Sequence, residues 1–144
     1  MKNWILLILL IAEPLSIHAQ RILIPMDSVQ DNHLKAYGIT FSALESGISV
    51  EWLLNYRGGA FLLDYNRVVF EEAAIRGVVC KEITESDVVV IYAEMDAGNM
   101  DVVLLEKAPK IAVYTPPNKQ PWDDAVTLAL EYAQIKYDKI WDEE

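Results

Sequence analysis

Apolar residues fall in short blocks along this chain, and the spacing within each block separates strand from helix. Arg21-Ile22-Leu23-Ile24-Pro25 is a β-branched run that predicts a first strand. From Asn32 to Ser46, Leu34, Tyr37, Phe41 and Leu44 recur at helical spacing, with Asp31 placed to cap that helix and Gly47 to end it. Ile48 to Leu54 predicts a second strand, broken by Asn55-Tyr56-Arg57-Gly58-Gly59. A second helix is expected from Tyr65 to Arg76, with Asp64 as cap and Gly77 as terminator. Val78 to Ile83 reads as the third strand. Thr84 then suits a helix cap, and Glu85 and Asp87 sit where the helix dipole favours negative charge. Val88-Val89-Val90-Ile91 competes as a strand, but the spacing Val88, Ile91, Tyr92, Met95 continues and favours helix as far as Gly98.

Val102 to Leu105 and Ile111 to Tyr114 predict further strands, joined by the connector Glu106-Lys107-Ala108-Pro109. A polar loop, Thr115 to Gln120, leads into a helix from Trp122 to Gln134, and Tyr137 to Trp141 closes as a strand. Strands that alternate with helices in this way predict an α/β fold. The expected architecture is a mostly parallel sheet with helices on both faces, Rossmann-like or flavodoxin-like, built with right-handed crossovers. Residues 20–109 are read as one α/β domain, and residues 110–144 as the start of a second α/β lobe. The chain stops at Asp142-Glu143-Glu144, acids that suit the first turn of a further helix, so an N-terminal part of a longer protein is expected.

The first residues follow another pattern. Lys2 precedes the apolar run Ile5 to Ala12, Glu13 and Pro14 end it, and Ala19 offers a small residue before Gln20. That order is a secretory signal peptide over residues 1–19, with export to the periplasm or beyond. The run is shorter than the roughly 20 residues a membrane-spanning helix needs, so no membrane association is expected after cleavage. Lys2 and Glu13 leave together, so the net charge of −10 is unchanged by cleavage. That acidity argues against nucleic acid, whose phosphates call for Lys and Arg. One cysteine, Cys80, cannot form an internal disulfide.

No dinucleotide fingerprint, Walker loop, zincin motif, cysteine pair or nucleophile elbow is present, and no cofactor or metal is expected. Cys80 lies in an apolar strand pattern and reads as a structural thiol. Trp122, Tyr132 and Trp141 have core-like spacing, although Trp122 follows directly on a polar loop. A positional argument supplies a site. Ligands of open α/β sheets bind beyond the carboxyl ends of the strands. Those ends carry Asp27, Asn32 and His33, then Asn55 and Arg57, then Thr115, Asn118, Lys119 and Trp122. Gathered on one rim, they would suit a small polar or anionic ligand. They specify no reaction and no catalytic residue, and the sequence leaves the oligomeric state open.

The segments Arg21 to Asp27, Asn32 to Gly38, Val50 to Gly59 and Lys110 to Glu144 together resemble an exported bacterial family labelled asparagine synthetase B, or asparagine synthetase B-like. The resemblance covers nearly all of the chain after residue 19. It implies a class I glutamine amidotransferase-like architecture and family members that continue beyond Glu144. Synthetases of the B type use a Cys at the second position and an S-G-G-x-D-S loop. Here Lys2 stands at that position, the loop is absent, and Cys80 is not in a glycine-flanked elbow, so no catalytic residue carries over by motif. Two functions follow: an exported amidotransferase-like enzyme, or a non-catalytic ligand-binding or scaffolding protein of the cell envelope.

Overall fold

The computed structural model describes residues 20–142, so the targeting segment expected at residues 1–19 lies outside the described residues. The elements run β1 (Gln20–Ile24), α1 (His33–Glu45), β2 (Val50–Leu53), β3 (Ala60–Asp64), α2 (Arg67–Ile75), β4 (Lys81–Thr84), α3 (Glu85–Ala97), β5 (Val102–Leu105), β6 (Ala112–Tyr114), α4 (Ala125–Ala133) and β7 (Asp138–Ile140). Among the described residues, no helix is long and apolar enough to cross a membrane.

The main sheet has five strands in the order β4-β1-β3-β2-β5, and every neighbouring pair is antiparallel. This overturns the expected mostly parallel sheet, and with it the Rossmann-like, flavodoxin-like and class I amidotransferase-like readings. The physical reason is one strand. Asn55–Gly59 is a hairpin rather than a passage to a helix, and Ala60–Asp64 returns alongside β2. β3 therefore sits between β1 and β2, pairing antiparallel with both. The crossovers β1-α1-β2 and β3-α2-β4 each skip a strand, so both are split β-α-β units. The parallel pairing present is β6 with β7, from Ala112 opposite Asp138 to Tyr114 opposite Ile140.

Strand alternation then sets two cores. Ile22, Ile24, Val50, Phe61 and Leu63 face Ala36, Ile39, Ala43 and Leu44 of α1 and Val69 and Ala73 of α2. Leu23, Leu53, Ala60 and Leu62 face Val88, Ile91 and Met95 of α3. Helices thus cover both faces, which is why β3 is apolar at Ala60, Phe61, Leu62 and Leu63 without alternation. Each fully buried Ile or Leu here contributes about 1.5–3 kcal/mol.

Helix boundaries follow local capping chemistry. α1 starts at Asn32, whose side chain accepts from Lys35 N, so Asn32 and not Asp31 is the cap. Asn66 caps α2 through Val68 N and Val69 N, while Asp64 ends β3 and pairs with Arg21 at 3.2 Å. α3 begins with the capping box of Thr84 and Asp87 that the sequence announces. Val78 to Cys80 lie before β4 rather than in it, because Val79 N is taken by the Gln30 side chain at 3.1 Å. α4 starts at Ala125 under an Asp124 cap, preceded by a single turn at Pro121–Asp123.

α1 is walled on two sides. The sheet lies on one, and α4 lies on the other, close enough that a Cβ at Gly38 would overlap the Ala133 carbonyl oxygen. The buried Arg76 guanidinium donates to that same carbonyl and pairs with Glu72 at 3.2 Å. Gly38→Ala should therefore destabilise the protein by about 1–3 kcal/mol in chemical denaturation, by forcing α4 off α1. An unchanged denaturation midpoint would show that this helix contact is loose.

Candidate ligand-binding site

The hairpin that reverses the chain also builds the polar rim. Within it, Asn55 (φ 66°), Arg57 (φ 45°), Gly58 (φ 80°) and Gly59 (φ 88°) adopt left-handed backbone. For Asn55 and Arg57 this costs about 1–2 kcal/mol per residue. The surroundings hold them. Met26 N donates to Arg57 O at 3.0 Å, and Arg57 Nε donates to Asp27 Oδ2 at 2.7 Å. A Cβ at Gly58 would overlap the Met26 carbonyl oxygen, so the loops meet backbone to backbone. The imidazole of His33 donates from Nε2 to Met26 O at 3.1 Å. Asn32 Nδ2 donates to the Tyr132 hydroxyl of α4 at 2.9 Å, and Lys35 lies over that ring at 5.1 Å.

The sequence-derived rim is thus placed in two parts. Asp27, Asn32, His33, Asn55 and Arg57 gather where β1 and β2 end. Asp27, Asn32, His33 and Arg57 use polar atoms to hold these loops together, while Asn55 makes no side-chain capping bond. Thr115, Asn118, Lys119 and Trp122 lie in the segment between β6 and α4. Thr115 is buried with its N–H on Ile140 O at 3.0 Å, Lys119 N donates to Pro116 O at 3.0 Å, and Lys119 O accepts from Lys139 Nζ at 2.8 Å. Trp122 is 71% exposed. The Arg57 guanidinium, hydrogen-bonded to Asp27, holds that carboxyl below the usual carboxylate range. Burial pushes the half-buried Cys80 thiol up to about 12, which suits packing rather than nucleophilic attack. Among the described residues, no three His, Cys, Asp or Glu side chains are grouped to hold a metal ion.

A second concave feature was not legible in the sequence. β5 extends the sheet past β2, and α1, the sheet and the connector after β5 border a concave space. The result is a cleft of about 300 Å³ lined by Tyr37, Phe41, Trp52, Phe61, Leu105 and Lys107. Its walls are aromatic. Phe61 meets Tyr37 edge-on at 5.7 Å and stacks with Trp52 at 6.3 Å between ring centroids. Trp52 is oriented by its Nε1 donating to Gly59 O at 3.1 Å, so the hairpin also sets the cleft wall. Lys107 lines both this cleft and an adjoining hollow of about 460 Å³ that includes Lys110 and Lys136. Lys136 pairs with Glu45 at 3.1 Å. Tyr37 and Phe41 were visible as apolar helix positions, but their meeting with Trp52 and Lys107 depends on strand order.

No family model, curated protein or solved structure matches this chain.

Two outcomes test the site chemistry. Asp27→Asn should lower stability above the ordinary carboxylate range, near pH 4 and higher. A depressed folded pKa contributes stability that is lost as pH falls through it, so wild type and variant should converge in acid. Melting curves that differ equally at pH 2 and pH 7 would remove the ion pair as the cause. Separately, the Cys80 thiol should react with a thiol reagent at pH 8 at least about 100-fold more slowly in the native protein than in denaturant.

Proposed function

We propose that this chain is an exported member of the family labelled asparagine synthetase B-like, and that it is a non-catalytic binding protein rather than an enzyme of amide chemistry. The ligand proposed is an amphiphilic anion seated in the cleft between α1, β2 and β5. The cleft carries this reading. An aromatic and aliphatic interior accepts an apolar body, and Lys107 at its edge accepts an anionic head. At about 300 Å³ it lies at the small end of ligand pockets. The rim residues support the same reading, because Asp27, Arg57 and His33 are held in mutual and backbone contacts that leave no base aimed at a nucleophile. Export to the periplasm or beyond is part of the proposal. Cleavage before Gln20 would leave β1 whole, since Gln20 opposes Thr84 and its carbonyl accepts from Tyr65 N at 3.0 Å.

Decanoate, decanol and inorganic phosphate separate the parts of this idea. Decanoate should raise the melting temperature and perturb Trp52 fluorescence, decanol should do so more weakly, and phosphate alone should do neither. Lys107→Met should weaken decanoate by about tenfold while sparing decanol, the size expected for one charge-assisted contact. Asn118→Ala with Lys119→Ala should leave decanoate affinity unchanged. Loss of binding in that double variant would place the ligand on the rim instead. No response to decanoate or decanol would end the cleft reading.

A further inference from the structure

The apolar cleft and the hollow beside it share a wall but differ in lining. Phe41, Leu44, Lys107 and Pro109 border both. Past that wall the cleft continues through aromatic rings, whereas the hollow continues through Glu45, Lys110, Lys136 and Asp138. The polar end is also the roomier one, about 460 Å³ against about 300 Å³. Its charges are of two kinds. Lys136 is held by Glu45, with Nζ donating to both carboxylate oxygens at 3.1 Å. Among the described residues, Lys107 and Lys110 have no acidic partner. Asp138 is the hollow's carboxylate outside an ion pair, so two free ammonium groups face one free carboxylate there. On a chain of net charge −10 this is a local excess of positive charge. The backbone holds the groups near one another. Pro109 stiffens the connector between the two lysines. Asp138 N donates to Ile111 O at 2.9 Å, which ties the start of β7 to the residue after Lys110.

We propose that the head of the ligand is a phosphate monoester held by Lys107 and Lys110 in the hollow, with its single apolar chain in the cleft. This rests on the cleft reading given above and narrows it to a monoalkyl or monoacyl phosphate. A carboxylate head satisfies Lys107 and leaves Lys110 without a counterion. A phosphate monoester carries about −1.5 to −2 charge at neutral pH and presents three acceptor oxygens, enough for both ammonium groups. It also fills more of the hollow than a carboxylate does. Lys107 stands where the apolar and polar linings meet, which is where the chain joins the head.

Calorimetric titration of the full chain with decyl phosphate, decyl sulfate and decanol tests the head group. Decyl phosphate and decyl sulfate share a chain and a tetrahedral head but differ in charge. Near neutral pH, decyl phosphate should bind about tenfold tighter than decyl sulfate, and decanol more weakly than either. At about pH 5, below the second ionisation of the phosphate near 6, that advantage should vanish. Comparison with decyl sulfate at each pH cancels the titration of the protein itself. Lys110→Met should erase the advantage at neutral pH and leave decanol unchanged, while Lys110→Arg should keep it. Lys81→Met, on β4 at the other edge of the sheet, should change nothing. Equal binding of decyl phosphate and decyl sulfate at neutral pH would overturn the phosphate head and leave the cleft reading standing. So would an advantage that persists at the lower pH or in Lys110→Met, or one lost equally in Lys81→Met. No binding of any of the three would overturn the cleft reading and this proposal with it.

Discussion

The reversal of the chain at Asn55–Gly59 is the constraint from which the rest of the structure follows. Four of its five residues adopt left-handed backbone, two of them without the freedom of glycine. Such a turn persists only when its surroundings hold it. Here the Met26 backbone and the Asp27 carboxylate hold Arg57, and the Trp52 indole holds Gly59. Once the chain turns back, β3 must lie beside β2, and the first crossover becomes split. The antiparallel order of the whole sheet is the consequence.

The same turn ties the polar rim to the apolar cleft. Arg57 is drawn towards Asp27 on one side, and the Gly59 carbonyl aims Trp52 into the cleft on the other. α1 contributes to both as well. Its first turn carries His33 against Met26, and its middle carries Tyr37 against Phe61. Gly38, on the side towards α4, lets that helix approach until Arg76 can bond to the Ala133 carbonyl. Loop closure, cleft and the packing of α4 therefore share one helix and one hairpin. The α3 face has its own fastening, in which Arg21 pairs with Glu51 at 2.8 Å and Tyr92 donates to the same carboxylate. Burial, with that hydrogen bond, pushes the Tyr92 phenol up to about 12.

Most elements were legible in the order of residues, because helix and strand periods are local. The helix from Thr84 to Gly98 was readable against the competing Val88 to Ile91 strand, since the capping box and the continued spacing to Met95 act within a few turns. Periodicity does not mark the strand Ala60–Asp64, although Gly58-Gly59 before Phe61-Leu62-Leu63 is a hairpin signal. Taking the glycines as a simple break left the alternation of strands and helices apparently unbroken, and so gave the chain the pattern of a parallel sheet. One omitted strand inverted the direction of its neighbours.

The sequence by itself determined the periodic elements, the caps at Thr84 and Gly98, the acidic surface and the absence of an internal disulfide. These depend on neighbours a few residues apart or on composition alone. Only the tertiary structure decided strand order, the separation of the rim residues between the β1 and β2 ends and the β6–α4 segment, and the cleft of Tyr37, Trp52, Phe61 and Lys107. Each of these depends on contacts between residues far apart in the chain. A strand carries no local mark of its neighbour: Phe61 looks the same in sequence whether its strand runs with β1 or against it. The hairpin settles that direction, because its backbone conformation is stable only with Met26 and Asp27 brought against it from across the sheet.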